Sequence, residues 1–300
     1  MLAGPQPTFG SRATAARSST PWRRLLHHPL VWSGLGILLF LLLFAFVAPV
    51  FYHKDVNTVN VAQMLMPPSR AYPLGTDALG ENELGQLMIG GQVPIWTGFL
   101  SAFAATVLGV AVGIAGGLGG RLLDSVMMRL ADGVLGVPQV VAILLIESIF
   151  GIHIGLLVLI FVLTAWPLTA RVMRAETLAL RVTPFIEAAR AEGSQPWRIL
   201  LRHVLPNLFD ALVATFQTQF TNAVLVLAIA SFVGAGMGAP WNWGSMIYEN
   251  QDALLAGQWW LIVLPGLLFA LLVVSVYLIG EGLRAAFNPQ AELHGREAAS

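Results

Sequence analysis

From Val31 to Phe51 the chain runs without a single charged residue, and about 20 predominantly apolar residues are what a helix needs to cross roughly 30 Å of hydrocarbon. Comparable stretches recur at about Val93–Leu118, Val134–Ile146, Ile154–Arg171, Leu208–Val233 and Trp259–Ile279. With 56% hydrophobic and 11% charged residues, the chain has more apolar surface than a globular exterior can hide. The fold class expected is therefore an all-α membrane protein with six transmembrane helices. The first run is longer than a signal-peptide core and lacks a small-x-small cleavage site, so it reads as an uncleaved first helix.

Charge sets the orientation. Of 16 lysines and arginines, only Lys54 and Arg70 fall on the outer side if six spans start from an inner N-terminus, and cytoplasmic loops carry the excess of basic residues. Both termini are then cytoplasmic. The division expected is a cytoplasmic tail 1–30, a first helix 31–51, an extracytoplasmic segment 52–92, a core membrane domain 93–284 containing a cytoplasmic loop 175–207, and a cytoplasmic tail 285–300. Trp241, Trp243, Trp259 and Trp260 fit the outer interface, where tryptophan is enriched.

Several chemistries are excluded. The chain has no cysteine, which removes disulfides and thiolate sites together. Its one lysine, Lys54, follows Phe51-Tyr52-His53 rather than a glycine-rich loop, so no nucleotide-binding P-loop can form. The histidines, His27, His28, His53, His153, His203 and His294, show no metal-ligand spacing such as H-E-x-x-H. Gly109, Gly113 and Gly117, like Gly116 and Gly120, put small residues on helix faces and predict close packing against a neighbour.

The stretch Thr183–Asn207 is a polar island between apolar runs. Thr183 as N-cap, Pro184 in the first turn and Gly193 as a break predict one short helix. Ser194 starts a second, which is expected to stop before Pro206. Helix, glycine turn and helix make a docking shape, and Arg190, Arg198 and Arg202 put it on the cytoplasmic side.

The same stretch carries a resemblance. Glu187-Ala188-Ala189, then Gly193, then His203-Val204-Leu205-Pro206 resembles the EAA loop of permease subunits in bacterial ABC importers. Tyr72-Pro73-Leu74-Gly75-Thr76-Asp77-Ala78-Leu79-Gly80 resembles the HPLGTD-x-x-G element of dipeptide, oligopeptide and nickel permeases. Gly119-Gly120-Arg121-Leu122-Leu123-Asp124 and Met128-Arg129-Leu130-Ala131-Asp132 resemble their GG-x-x-D and MR-x-x-D elements. Ser231-Phe232-Val233-Gly234-Ala235-Gly236, Trp243-Gly244-Ser245-Met246 and Gly280-Glu281-Gly282-Leu283-Arg284 with Asn288-Pro289 resemble the later ones. Two departures stand out: Glu81-Asn82 replaces Arg-Asp, and Leu227 replaces a glutamate.

The resemblance is closest to the second, C-type, permease subunit and implies a type I importer permease fold. It implies a heterodimer with a homologous permease, two cytoplasmic ATPase subunits and an extracytoplasmic solute-binding protein in a bacterial inner membrane. No cofactor is expected in this chain, since ATP and Mg would be bound by the ATPases. The implied function is conduction of di- or oligopeptides, with Glu187, Ala188, Ala189, Gly193, Leu205 and Pro206 coupling it to ATP hydrolysis. A secondary transporter or channel for a small solute is the alternative, and a membrane-embedded enzyme a third reading.

Three expectations concern side chains. Gln217 and Thr221 are four apart, as are Thr218 and Asn222, so each pair shares a helix face, and the resulting stripe could border a translocation pathway or bond to neighbouring helices. Glu147, near the outer end of the third span, is expected to reach interfacial water. Arg129 and Asp132 are expected to pair across one turn, Asp132 to be buried against a neighbouring helix, and Arg121 and Asp124 to be a solvated helix end.

Overall fold

In a computed structural model of the protein, the described residues are 25–287 apart from 27, 53–55, 57, 152–153 and 234–241. The expectations for Arg12, Arg17, Arg23, Arg24, His27, His53, Lys54, His153, Gly234, Gly236, Trp241, Pro289, His294 and Arg296 fall outside them.

The regular elements among the described residues are helices, with one isolated bridge between Thr76 and Asn82. Helix α1 runs Pro29–Leu42 and continues through a π turn, Leu43–Val47, to Ala48–Phe51. Then come α2 (Glu83–Gly90), α3 (Gln92–Leu118), α4 (Arg121–Leu135), α5 (Gln139–Phe150) and α6 (Ile154–Arg181). Helix α7 (Pro184–Ala191) is followed by α8, built of Pro196–Ile199, a π turn Leu200–Val204 and Leu205–Asn207. Helices α9 (Phe209–Phe232), α10 (Trp243–Glu249) and α11 (Trp260–Phe287) follow.

Among the described residues, five helical stretches are long and apolar enough to cross a membrane: Pro29–Phe51, Glu83–Leu118, Ile154–Arg181, Phe209–Phe232 and Trp260–Phe287. The third apolar run, which would make a sixth span, is not one straight helix. Helices α4 and α5 meet at 72°, because Pro138 lacks an N–H and biases Val137 away from the α conformation. The fourth and last spans extend past Arg171 and Ile279, to Arg181 and Phe287.

Helices α3 and α6 make the most extensive contact in the molecule, and glycine makes it possible. A Cβ on Gly109 would lie 2.5 Å from Thr169 Cβ, one on Gly113 2.5 Å from the Ala170 carbonyl, and one on Gly117 2.7 Å from Thr177 Cβ. Side chains there would hold the two backbones apart, so the i, i+4, i+8 glycines set the distance between the helices. One core cluster gathers Leu41, Ala45, Leu87, Phe220, Trp243 and Leu272 from five helices. Trp243 belongs here and not at the outer interface: it is fully buried and donates from Nε1 to the Leu87 carbonyl at 2.8 Å. Trp259 is exposed as expected.

Candidate coupling and translocation sites

The helix-turn-helix of α7 and α8, the candidate coupling element, packs on the membrane helices through its inner face. Ile186 and Ala189 of α7, Ile199 and Val204 of α8, and Leu208 pack with Ile114 of α3 and Met173 of α6 in one buried cluster. Glu187, Ala188 and Arg190 point to solvent. Helix α7 ends in a Schellman turn: Ser194 N–H donates to Ala189 O and Gly193 N–H to Arg190 O, both at 3.0 Å. Gly193 sits at φ +80°, where a Cβ is disfavoured.

The second helix differs from the expected one. Gln195, not Ser194, precedes it, and it runs on through Pro206 to Asn207. The π turn is the reason. Leu205 N–H bonds back to Leu200 O, and the wider turn accommodates a proline that would collide with an ordinary i−4 carbonyl. Leu205 and Pro206 are exposed, as are Phe185, Trp197 and Leu201. These last three large apolar residues form the outer surface of the element together with Arg198, whose guanidinium lies 5.4 Å from the Trp197 ring centroid. Their aromatic and aliphatic character was visible in the sequence, but not which side of the helices they take.

The polar stripe of α9 opens on a cavity of about 520 Å³ lined by Gln217, Thr218, Thr221 and Asn222, by Leu168 of α6 and by Tyr277, Glu281 and Arg284 of α11. The stripe also bonds to its neighbours. Gln217 Nε2 donates to Tyr277 O at 2.7 Å, Asn222 Nδ2 to Gln139 Oε1 at 3.2 Å, and Gln219 Nε2 to Ala165 O at 2.9 Å. Gly280 allows the first of these, since a Cβ there would fall 2.2 Å from the Gln217 amide. Gln139, Tyr277, Glu281 and Arg284 were not singled out from sequence as part of this site, because nothing local connects them to α9.

The other charged groups are arranged differently from their sequence expectations. Asp132 pairs with Arg171 and Asp124 with Arg174, both across to α6. Arg129 is therefore not the partner of Asp132, Asp132 is exposed rather than buried, and Asp124 is not a free solvated end. Glu147 is only 7% exposed and its Oε2 has no hydrogen-bond partner among the described residues, so the carboxylate is largely enclosed by protein and not displayed at a helix end. It lies four residues after Ile143 on the buried side of α5.

Outside the spans, the segment resembling HPLGTD-x-x-G folds into an acidic knot. Asp77 Oδ1 accepts from the backbone N–H of Leu79 and Glu81 at 2.9 and 2.8 Å. Gln86 Nε2 bridges Asp77 Oδ2 and Glu81 Oε2 at 2.9 and 2.8 Å. Burial, and then the neighbouring charges of Asp77 and Glu249, push the Glu81 carboxyl up to about 7, and burial with Asp77 also raises Glu249.

Comparison with known proteins places these features in context. Residues 105–292 match the family described as "Binding-protein-dependent transport system inner membrane component". Residues 19–68 match the "N-terminal TM domain of oligopeptide transport permease C". A Brucella abortus protein named as a peptide transport system permease is 32% identical over 274 residues, covering 91% of this chain and 92% of its own. The dipeptide transport system permease of Bacillus subtilis is 28% identical, over 93% of this chain and 88% of its own. A chain of the MetNI methionine ABC transporter in an inward-facing conformation superposes with a TM-score of 0.57 at 21% identity, covering 67% of this chain and 96% of that one.

Proposed function

Because the chain belongs to the family of binding-protein-dependent transport system inner membrane components, we propose that it is the C-type permease of a peptide importer, driven from outside its own sequence. In this reading it pairs with a homologous permease, receives short peptides from an extracytoplasmic solute-binding protein, and is moved by two cytoplasmic ATPases that hold ATP and Mg. The chain itself turns over no nucleotide: its only lysine is not in a P-loop. Both termini face the cytoplasm of a bacterial inner membrane, on the charge bias of the loops. Peptide as the solute is supported by the names of the relatives.

The observation that carries the reading is the two-sided coupling element. Its inner residues, Ile186, Ala189, Ile199 and Val204, are locked to α3 and α6, while Glu187 and the apolar residues Phe185, Trp197 and Leu201 are exposed. A surface of that kind, at the end of a rigid helix pair, transmits force only if something binds it. The test is to purify the chain from membranes in which a tagged copy is expressed beside its neighbouring ATPase genes. An ATPase should co-purify and be lost with Glu187→Arg combined with Trp197→Asp; a chain that transports peptide without any ATPase refutes the proposal.

A further inference from the structure

The cavity between α6, α9 and α11 has a hydrogen-bonding character that can be worked out donor by donor. Gln217 Nε2 donates to Tyr277 O. Asn222 Nδ2 donates to Gln139 Oε1, Gln139 Nε2 to Thr164 Oγ1 at 3.0 Å, and Thr164 Oγ1 to Ile160 O at 2.8 Å. Thr218 Oγ1 donates to Ala214 O at 2.9 Å. Each chain ends on a backbone carbonyl, which can only accept, so the direction of every amide along it is fixed.

What remains is specific. Among the described residues, Gln217, itself only 7% exposed, and Asn222 each keep a carbonyl oxygen and one N–H, and Thr218 keeps the lone pairs of its hydroxyl. A primary amide with one C=O and one N–H to spare is the complement of a peptide group, which offers an N–H and a C=O in return. Leu168, Leu225 and Ala214 supply uncharged walls. At one end stand a carboxylate and a guanidinium, Glu281 and Arg284, paired to each other at 2.9 Å and both part-exposed, so that each can exchange its partner for a ligand charge at little cost. At about 520 Å³ the space lies within the range of small-ligand sites, roughly 300–1,000 Å³.

We propose that this cavity is a holding site for the main chain of a short peptide, with the amides of Gln217 and Asn222 pairing with its peptide groups and Arg284 with its terminal carboxylate. The proposal rests on the permease reading above and adds to it a substrate contact inside the membrane domain. Recognition through the main chain and one terminus leaves side chains unread, so the site accepts peptides of varied sequence.

The experiment uses the complete complex with its partner permease and ATPases in lipid nanodiscs, without nucleotide and without the solute-binding protein. The probes are radiolabelled trialanine and its C-terminal amide. Trialanine should bind saturably. Gln217→Leu should weaken both probes by about tenfold, and Arg284→Gln should weaken trialanine by about tenfold, the scale of a hydrogen bond to a charged group, while leaving the amide unchanged. Basal ATPase activity reports assembly, and Asn222→Leu, which removes the other amide, replaces Gln217→Leu if that variant does not assemble.

Absence of saturable binding, or binding indifferent to these substitutions, overturns the proposal. The permease reading is judged separately, from ATP-dependent peptide uptake by the same complex with the solute-binding protein restored. Uptake without trialanine binding rejects the holding site alone; no uptake of any peptide rejects the reading on which it rests.

Discussion

Replacing Gly113 with alanine tests the seam between α3 and α6. The added Cβ would sit 2.5 Å from the Ala170 carbonyl oxygen and 2.7 Å from Met173 Cβ, with Arg174 N at 3.0 Å. Carbon atoms prefer roughly 3.5–4.0 Å, and two of these three neighbours are backbone atoms that no rotamer change can move. Helices α3 and α6 must therefore part by about 0.8 Å, which forfeits a quarter to a half of the dispersion energy along the contact. Overpacking of this kind costs about 1–3 kcal/mol. Alanine also favours helix over glycine by about 1 kcal/mol, so the control is Gly36→Ala in α1, where nothing lies within 4 Å. Both variants share the propensity gain, and their difference isolates packing. Unfolding of the purified protein in mixed micelles should place Gly113→Ala about 1–3 kcal/mol below Gly36→Ala; equal stabilities would refute the argument that glycine sets this helix spacing.

Glu187→Arg and Gly193→Val should each uncouple peptide uptake from ATP hydrolysis in the reconstituted complex without lowering the yield of folded protein, because Glu187 is exposed and Gly193 holds φ +80° in an open turn; normal uptake by both would rule out the docking role. Single cysteines at 217, 218, 221 and 222 should change their labelling by a membrane-impermeant thiol reagent between resting and nucleotide-trapped states, and uniform unreactivity in an active transporter would assign the stripe to helix packing. Glu81 has its carboxyl raised to about 7 from an ordinary 4.5, so its folded form holds the proton more tightly than the unfolded one. The acidic knot is then most stable below about pH 4.5 and loses stability as pH rises through about 7. Amide-exchange protection at Leu79 and Glu81 should fall over that interval, and Glu81→Gln should flatten the profile; an unchanged profile would remove Glu81 as the titrating group.

Much of the fold was legible because its causes are local. An apolar run of membrane length has one cheap arrangement of its backbone hydrogen bonds, an intrasegment helix. Spaced glycines at 109, 113 and 117 announced a close helix contact, and Gly193 announced a turn, because absence of a Cβ acts on the residue that lacks it. The first helix of the polar stretch and its turn were legible for the same reason, since Pro184 and Gly193 mark their own element.

What only the tertiary structure decided involves partners remote in sequence. Asp132 could have paired with Arg129 one turn away, but α6 brings Arg171 to it. Trp243 looked interfacial until five other helices enclosed it, and Glu147 looked like a helix-end charge until α5 placed it on its buried side. Pro206 should have ended a helix by local rules, and a π turn carried the helix through it. The polar stripe of α9 could be read as a face from its four-residue spacing, but its cavity could not: Gln139, Tyr277, Glu281 and Arg284 join it only through contacts spanning some 60 to 83 residues. Sequence periodicity assigns a residue to a side of its own helix, and what stands opposite is settled by how the helices pack.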